Sequence, residues 1–150
     1  MRNGYFAVVL NKESCDAVRK YSTMEDVKGD HITLAYKPDD KTYEQLNGLV
    51  NEDVDAYISE IRSNKNIEAL WVDEMNLTRF PSIKLKRFNP GPAHVTISHK
   101  KDFKSGDANS MFKDPDHLVP VDHTHELGYL KGTVKWISYE WKNKRITKRS

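Results

Sequence analysis

His31-Ile32-Thr33-Leu34 is the stretch that decides the fold, because the same pattern returns as His94-Val95-Thr96-Ile97. Successive side chains of a β-strand point to opposite faces, so the histidine and threonine of each stretch share one face and the two aliphatic residues share the other. Each stretch is therefore predicted to be a strand whose apolar face packs into a core. We expect both pairs of polar side chains to line the same cleft.

The segments around the motifs predict further strands and helices. Tyr5 to Leu10 is aromatic and β-branched, which favours a buried first strand. Asn89-Pro90-Gly91-Pro92 predicts a tight turn, so the second motif strand is expected to begin at His94. The other predicted elements are a helix over Asn11–Tyr21 capped by Asn11, a loop over Met24–Asp30, a helix over Thr42–Val50 capped by Asp39 or Asp40, a hairpin of Val54–Ile61 and Ile67–Val72, an extended segment or loop over Arg79–Phe88, a helix over Ser105–Phe112, an irregular loop over Asp114–Glu126 and a closing strand over Leu127–Trp141 broken at Gly132.

The length of 150 residues predicts a single domain, with residues 1–141 in the fold and a basic tail at 142–150. An apolar fraction of 37% and a charged fraction of 31% favour a soluble globular protein over a disordered or membrane protein. No apolar run approaches the roughly 20 residues that span a bilayer, and the N-terminus lacks the apolar core of a signal peptide. We therefore expect a cytoplasmic protein.

Charge is distributed unevenly along the chain. Residues 1–75 hold 9 Lys+Arg against 15 Asp+Glu, a net charge of −6, whereas residues 76–150 hold 15 against 7, a net charge of +8. A basic half favours an anionic partner such as a nucleotide or RNA. The single cysteine, Cys15, excludes an intramolecular disulfide and is expected to be a small apolar residue within the first helix.

The two motifs resemble those of the two-histidine, or 2H, phosphoesterase superfamily, which is defined by a pair of H-x-T/S-x motifs several tens of residues apart. The order of predicted elements is also similar across most of the chain. Residues 94–111 are most similar to cyclic phosphodiesterase domains of the tRNA-ligase type. The chain also resembles stand-alone viral 2H phosphodiesterases. The resemblance implies a bilobal α+β fold of two similar antiparallel-sheet lobes, with helices outside and a central cleft.

The residue types of the two motifs suit phosphodiester hydrolysis without a metal. That reaction needs a base to take a proton from water and an acid to protonate the departing ribose oxygen. His31 and His94 are the candidate catalytic residues, because an unperturbed imidazole pKa of about 6.5 allows both roles near neutral pH. Thr33 and Thr96 would donate hydrogen bonds to phosphate oxygens. No cofactor is expected, and the sequence leaves open which histidine is the base.

A ribose 2′,3′-cyclic phosphate on an RNA end or a small nucleotide is the predicted substrate, and the resemblance to the tRNA-ligase type implies a 2′-phosphate product. Such a substrate also needs aromatic side chains for its base and cations for its flanking phosphates. The candidate substrate-binding residues are Tyr5, Tyr36, Lys37, Trp71, Arg79 and Phe80, with Lys84, Lys86, Arg87 and Phe88 as further candidates. No obligate protein partner and no membrane are expected.

Other functions stay open. Some superfamily members degrade 2′-5′ oligoadenylate or cyclic oligonucleotide immune signals, and a non-catalytic RNA-binding module would use the same cleft without turnover. His123 and His125, with His117 nearby, could bind zinc, although the segment is predicted to be a solvated polar loop. His99 follows the second motif and, on a regular strand, would face away from the cleft.

Overall fold

The computed structural model describes residues 3–89, 91–102, 117–120 and 129–138. Within these ranges the chain forms two α-helices and a largely antiparallel sheet, so the predicted α+β class is confirmed. The elements in chain order are β1 (Gly4–Leu10), α1 (Lys12–Arg19), β2 (Asp26–Val27), β3 (His31–Tyr36), α2 (Asp40–Asn47), β4 (Asp53–Ser63), β5 (Ile67–Leu77), β6 (Lys84–Leu85), β7 (His94–His99), β8 (His117–Pro120) and β9 (Tyr129–Ser138).

The strands form one open sheet in the order β2-β7-β5-β4-β9-β1-β3, with β6 paired to β5 and β8 paired to β4. Every described pairing is antiparallel. The β4–β5 hairpin is the predicted one, although both strands are longer than expected. β9 pairs with both β4 and β1, so it joins the two arms of the sheet. The two-lobed arrangement stays a prediction.

Side-chain caps fix the start of both helices. The Asn11 side chain accepts a hydrogen bond from the backbone N–H of Ser14, and Asp39 accepts one from Thr42 in the same way. Asn11 and Asp39 are therefore the N-caps, as predicted. Helix α2 ends at Asn47, three residues before the predicted end, because Gly48 follows as its C-cap. Cys15 lies buried in α1, as expected.

One face of the sheet carries the hydrophobic core. Ile32 and Leu34 of β3 and Val95 and Ile97 of β7 belong to the same buried cluster, and all four have 0% exposure. The alternation along each strand then directs the histidines and threonines of both motifs away from that core. Within the described ranges, neither helix is long and apolar enough to cross a membrane.

Three predicted segments differ from the structure. The loop expected over Met24–Asp30 contains β2, and the loop expected over Asp114–Glu126 contains β8, because both short strands find a partner that lies far away in the sequence. The closing strand is not broken at Gly132, which pairs with Leu10 on one side and Val54 on the other. The helix predicted over 105–112 and the tail at 142–150 lie outside the described residues.

Gly132 is required by the close approach of β1 rather than by a break in the strand. A Cβ atom at this position would lie 2.6 Å from the Val9 carbonyl oxygen and 2.7 Å from Val8 Cγ1. Backbone at that distance cannot move aside without separating the two strands. Only glycine therefore fits where β9 crosses from β4 to β1.

Candidate active site

Backbone hydrogen bonds bring the two motifs together, although β3 and β7 lie near opposite ends of the strand order. The N–H of Lys28 donates to Ile97 O and the N–H of Gly29 donates to Thr96 O, both at 2.8 Å. The chain then enters β3 two residues later, at His31. Further along, Phe88 N–H donates to Leu34 O at 2.7 Å. The approach to the first motif is thus fastened to the second motif, and the end of the first motif is fastened to the segment that precedes β7.

The His31 ring is held by the residue before it. Its Nδ1 lies 2.7 Å from Asp30 Oδ1, and the side chain is 31% exposed. A carboxylate can only accept, so Nδ1 carries the proton of this bond. The hydrogen bond to His31 holds the pKa of Asp30 below its usual range. Asp30 is therefore an ionised partner that orients the His31 ring.

His94 has the opposite environment. It is 8% exposed, and its Nδ1 lies 2.9 Å from the carbonyl oxygen of Pro92, to which it donates. The pKa of His94 is lowered to about 4, chiefly by burial and also by the positive charges of Arg87 and His31, against the Pro92 hydrogen bond that raises it. The neutral ring therefore holds its proton on Nδ1 and its lone pair on Nε2.

Both motif threonines face small residues across the sheet. Thr33 is paired with Ala7 on β1, and Thr96 is paired with Ala69 on β5. Cross-strand partners share a face, so each hydroxyl has a methyl group as its neighbour rather than a large side chain. Thr96 is 9% exposed, so its side chain lies in the buried part of the site.

Two predicted aromatic residues lie beside the histidines. The Tyr5 ring is 5.7 Å from the His31 ring, and burial, with a smaller effect of the Asp30 charge, raises the pKa of Tyr5. Trp71 is the direct cross-strand partner of His94, and the Arg62 guanidinium lies 4.0 Å from the centre of its indole ring. Arg62 was not predicted from sequence, because its contact with Trp71 depends on the β4–β5 register.

Tyr36 and Lys37 lie at the outer end of β3. Tyr36 is 48% exposed, and the Lys37 Nζ lies 5.7 Å from its ring centre. The Tyr36 N–H donates to Asn89 Oδ1 at 2.5 Å, and Asn89 Nδ2 donates to Tyr36 O at 3.3 Å. The turn before β7 is thereby tied to the end of β3, close to the entrance of the site.

Arg79 and Phe80 are not brought to the histidines by any described contact. They follow the end of β5 at Leu77, six residues beyond Trp71, which corresponds to about 20 Å along a strand. The Arg79 side chain is 72% exposed, lies 3.7 Å from Glu52 and packs over the Phe80 ring at 5.0 Å. These contacts account for both residues without a ligand.

A bulge turns His99 to the side of the motif. Ile97 is an extra residue of β7 that has no partner on β5. As a result His99 pairs with Ile67 and Thr96 pairs with Ala69. Ile67 and Ala69 share a face, so His99 lies on the side of His94 and Thr96. The expectation that His99 faces away from the cleft was wrong, because it assumed a regular strand. His99 is buried, and its Nδ1 donates to Lys100 O at 2.9 Å.

The candidate zinc ligands remain unplaced. His123 and His125 lie outside the described residues, and His117 is described only as part of the β8 backbone. Among the described residues, no group of three or more His, Cys, Asp or Glu side chains is placed to hold a metal ion.

By fold, the chain is an α+β protein built on an antiparallel sheet, and a solved structure shares that architecture. The crystal structure of a fungal RNA kinase matches with a TM-score of 0.62 at 12% sequence identity. The match covers 93% of this chain and 46% of the kinase chain, so this chain spans less than half the length of that protein. No protein-family model and no curated protein matches by sequence.

Proposed function

We propose that this protein is a 2H phosphoesterase that hydrolyses ribose 2′,3′-cyclic phosphates on RNA ends or small nucleotides, without a metal ion. The observation that carries the proposal is the convergence of His31 and His94 from two strands that lie far apart in the sheet order. Each ring is held through Nδ1, one by a carboxylate and the other by a carbonyl. An acid and a base with different environments are what such a hydrolysis requires.

The two environments support one assignment of roles. His94 is neutral at physiological pH, because its pKa lies near 4, and so its Nε2 can take a proton from water. The water oxygen then bonds to phosphorus while a ribose oxygen leaves. His31, the more exposed ring, which Asp30 orients through Nδ1, protonates that leaving oxygen from Nε2. The hydroxyls of Thr33 and Thr96 donate to the non-bridging oxygens, where negative charge grows in the transition state.

RNA is favoured over other phosphodiesters by two independent observations. The structure with the similar fold is named an RNA kinase, and that protein therefore acts on RNA. In this chain, residues 76–150 carry 15 Lys+Arg against 7 Asp+Glu, a charge balance that suits a polyanion. On this view the protein works in RNA end processing in the cytoplasm.

The test is a substrate panel with purified protein in the presence of EDTA. A nucleoside 2′,3′-cyclic phosphate and an oligoribonucleotide with a 2′,3′-cyclic phosphate end should both be opened, while 2′-5′ oligoadenylate and cyclic dinucleotides should react at least tenfold more slowly. His31→Ala and His94→Ala should each lower kcat by about 10²-fold or more. Loss of wild-type activity with EDTA would overturn metal independence.

Two other outcomes would replace the proposal. Preferred turnover of 2′-5′ oligoadenylate or a cyclic oligonucleotide would retain the chemistry and change the substrate to an immune signal. Tight RNA binding that survives His31→Ala, with no turnover of any substrate, would make the protein an RNA-binding module.

A further inference from the structure

Arg87 is a half-buried cation that the described part of the protein leaves without a partner. It follows β6 and precedes His94 by seven residues. Its Nε atom is buried and makes no hydrogen bond within the described residues. Burial lowers the pKa of its guanidinium. The charge is therefore partly desolvated.

A buried charge without a partner is costly to a folded protein. Removing a cation from water is unfavourable unless an anion or several hydrogen bonds replace the hydration shell. Buried polar groups in native structures almost always have a partner, so each exception calls for an explanation. An anionic ligand that binds at Arg87 would supply the missing partner.

The position of Arg87 indicates which anion that would be. Its charge acts on His94, so the guanidinium lies near the candidate base. It also lines a pocket of about 270 Å³ together with Gly91 and Ala93, the residues of the turn that leads into His94. Val72 and Met75 form an apolar part of the pocket wall, and Asp73 and Glu74 also line it, with the Glu74 carboxylate paired with Lys84 at 2.6 Å. Ala93 directly precedes His94, and Phe88, the residue after Arg87, donates its N–H to Leu34 O of the first motif at 2.7 Å. Arg87 therefore stands next to residues that adjoin both motifs.

We propose that Arg87 binds the phosphate group on which His31 and His94 act, as a third phosphate-binding residue beside Thr33 and Thr96. The proposal rests on the proposed function. A guanidinium is suited to the role because its planar N–H groups can donate two parallel hydrogen bonds to phosphate oxygens and because it stays charged when buried. Arg87 would thus neutralise charge that the two uncharged hydroxyls cannot.

A conflict between stability and binding follows from this assignment. In the absence of ligand, Arg87 destabilises the fold, and a methionine of similar length should raise the melting temperature. Phosphate should raise the melting temperature of the wild-type protein, since a ligand that binds the native state stabilises it. That second effect should be lost in Arg87→Met. If Arg87 only stabilised the fold, Arg87→Met would instead lower the melting temperature measured without ligand.

The experiment measures thermal unfolding and binding by calorimetry for wild type, Arg87→Met, Arg87→Lys and Lys65→Gln, with inorganic phosphate and a nucleoside 2′-monophosphate as probes. Lys65 is an exposed cation in the β4–β5 turn, so Lys65→Gln controls for the loss of one positive charge. We expect Arg87→Met to melt higher without ligand and to bind both probes at least tenfold more weakly. Arg87→Lys should bind several-fold more weakly, because one ammonium cannot make the paired hydrogen bonds.

The outcomes separate this inference from the proposed function. Unchanged binding in both Arg87 variants, or a lower melting temperature of Arg87→Met with unchanged binding, would overturn the role of Arg87. If Arg87→Met fails to fold, Arg87→Lys alone decides through its binding. Arg87-dependent phosphate binding by a protein that opens no cyclic phosphate would retain the anion site and overturn the hydrolase.

Discussion

The backbone N–H of Gly29 donates a hydrogen bond of 2.8 Å to the carbonyl oxygen of Thr96, and this bond joins the approach to one motif to the middle of the other. His31 follows two residues later. The distance between the two candidate catalytic strands is thus set by main-chain atoms, before any side chain contributes. Gly29 has a φ of +71°, a conformation that glycine adopts without the strain that a Cβ atom introduces.

Gly29→Ala should therefore damage both stability and activity. The left-handed conformation costs an L-residue about 1–2 kcal/mol, and the new Cβ would lie 3.0 Å from Val18 Cγ1. We expect the free energy of unfolding in urea to fall by about 1–2 kcal/mol. The activity of the folded fraction should fall too, because the bond to Thr96 shifts.

Gly48→Ala is the matched control for that substitution. Gly48 has a φ of −67°, and the nearest atom to its new Cβ would be Gln45 O at 3.8 Å. This alanine should leave activity unchanged and stabilise the protein by up to about 1 kcal/mol. Equal effects of the two alanines would contradict the special role of Gly29.

Asp30→Asn should slow the reaction with little effect on the fold. The amide oxygen can still accept from His31 Nδ1, but the negative charge beside the ring is lost. A hydrogen bond to a charged group contributes about 1.5–3 kcal/mol, so kcat should fall about 10- to 100-fold. Asp16→Asn, which removes an exposed carboxylate paired with Lys12, should leave kcat unchanged. An Asp30→Asn enzyme with wild-type kcat would rule out the Asp30–His31 pair.

The burial of His94 predicts a loss of stability in mild acid. Its pKa is about 4 in the fold against 6.5 for an unperturbed histidine, so the unfolded chain binds more protons between these values. The free energy of unfolding therefore falls as pH falls through this window, by about 2 kcal/mol between pH 7 and pH 5. Urea unfolding at both pH values measures it. The decrease should be smaller in His94→Gln, and an identical decrease would contradict the assignment.

The same pKa predicts the acid side of the activity profile. If His94 is the base, kcat/KM should stay high down to about pH 5 and decline only near pH 4, where the free enzyme protonates. An acid limb near pH 6.5 would instead identify an unburied histidine as the base. Arg87→Met should move the limb to higher pH, because the positive charge that disfavours the proton on His94 is removed.

Glu68 of β5 should stabilise the protein, because it joins Ser98 of β7 and Thr23 through hydrogen bonds. It is 6% exposed, and its carboxylate accepts from the backbone N–H of Thr23 at 2.6 Å and from the hydroxyls of Thr23 and Ser98. Glu68→Ala leaves these donors buried and should lower the free energy of unfolding by about 2–3 kcal/mol. Glu25→Ala, at an exposed position nearby, should change it by about 0.5 kcal/mol or less. Chemical denaturation of both variants tests the difference.

The alternation within each motif was enough to predict two strands with opposite apolar and polar faces, because that pattern depends only on local geometry. The N-caps at Asn11 and Asp39 were predictable for the same reason. The strand order was not, since β9 is inserted between β4 and β1 by contacts far apart in the sequence. The direction of His99 was missed because the bulge at Ile97 reverses the alternation.

The roles of Asp30 and Arg87 could not be predicted from sequence, because they depend on what surrounds each side chain in the folded protein. Asp30 is the neighbour of His31 and was within reach of sequence reasoning, but an adjacent aspartate is common and its direction depends on the turn that precedes β3. Arg87 was one candidate among several cations, and only the fold separates it from Arg79, which is exposed and lies near Glu52. Burial distinguishes these two arginines, and burial is a property of the assembled chain.

The place of β9 in the sheet has a consequence for the newly made protein. This strand comes last among the described strands, yet it lies between the arm that carries His31 and the arm that carries His94. On the ribosome both histidines are synthesised before the strand that connects their arms. The bonds from Lys28 and Gly29 to β7 can join the two motifs before then, but the sheet that supports both arms is complete only when residues 129–138 emerge and pair.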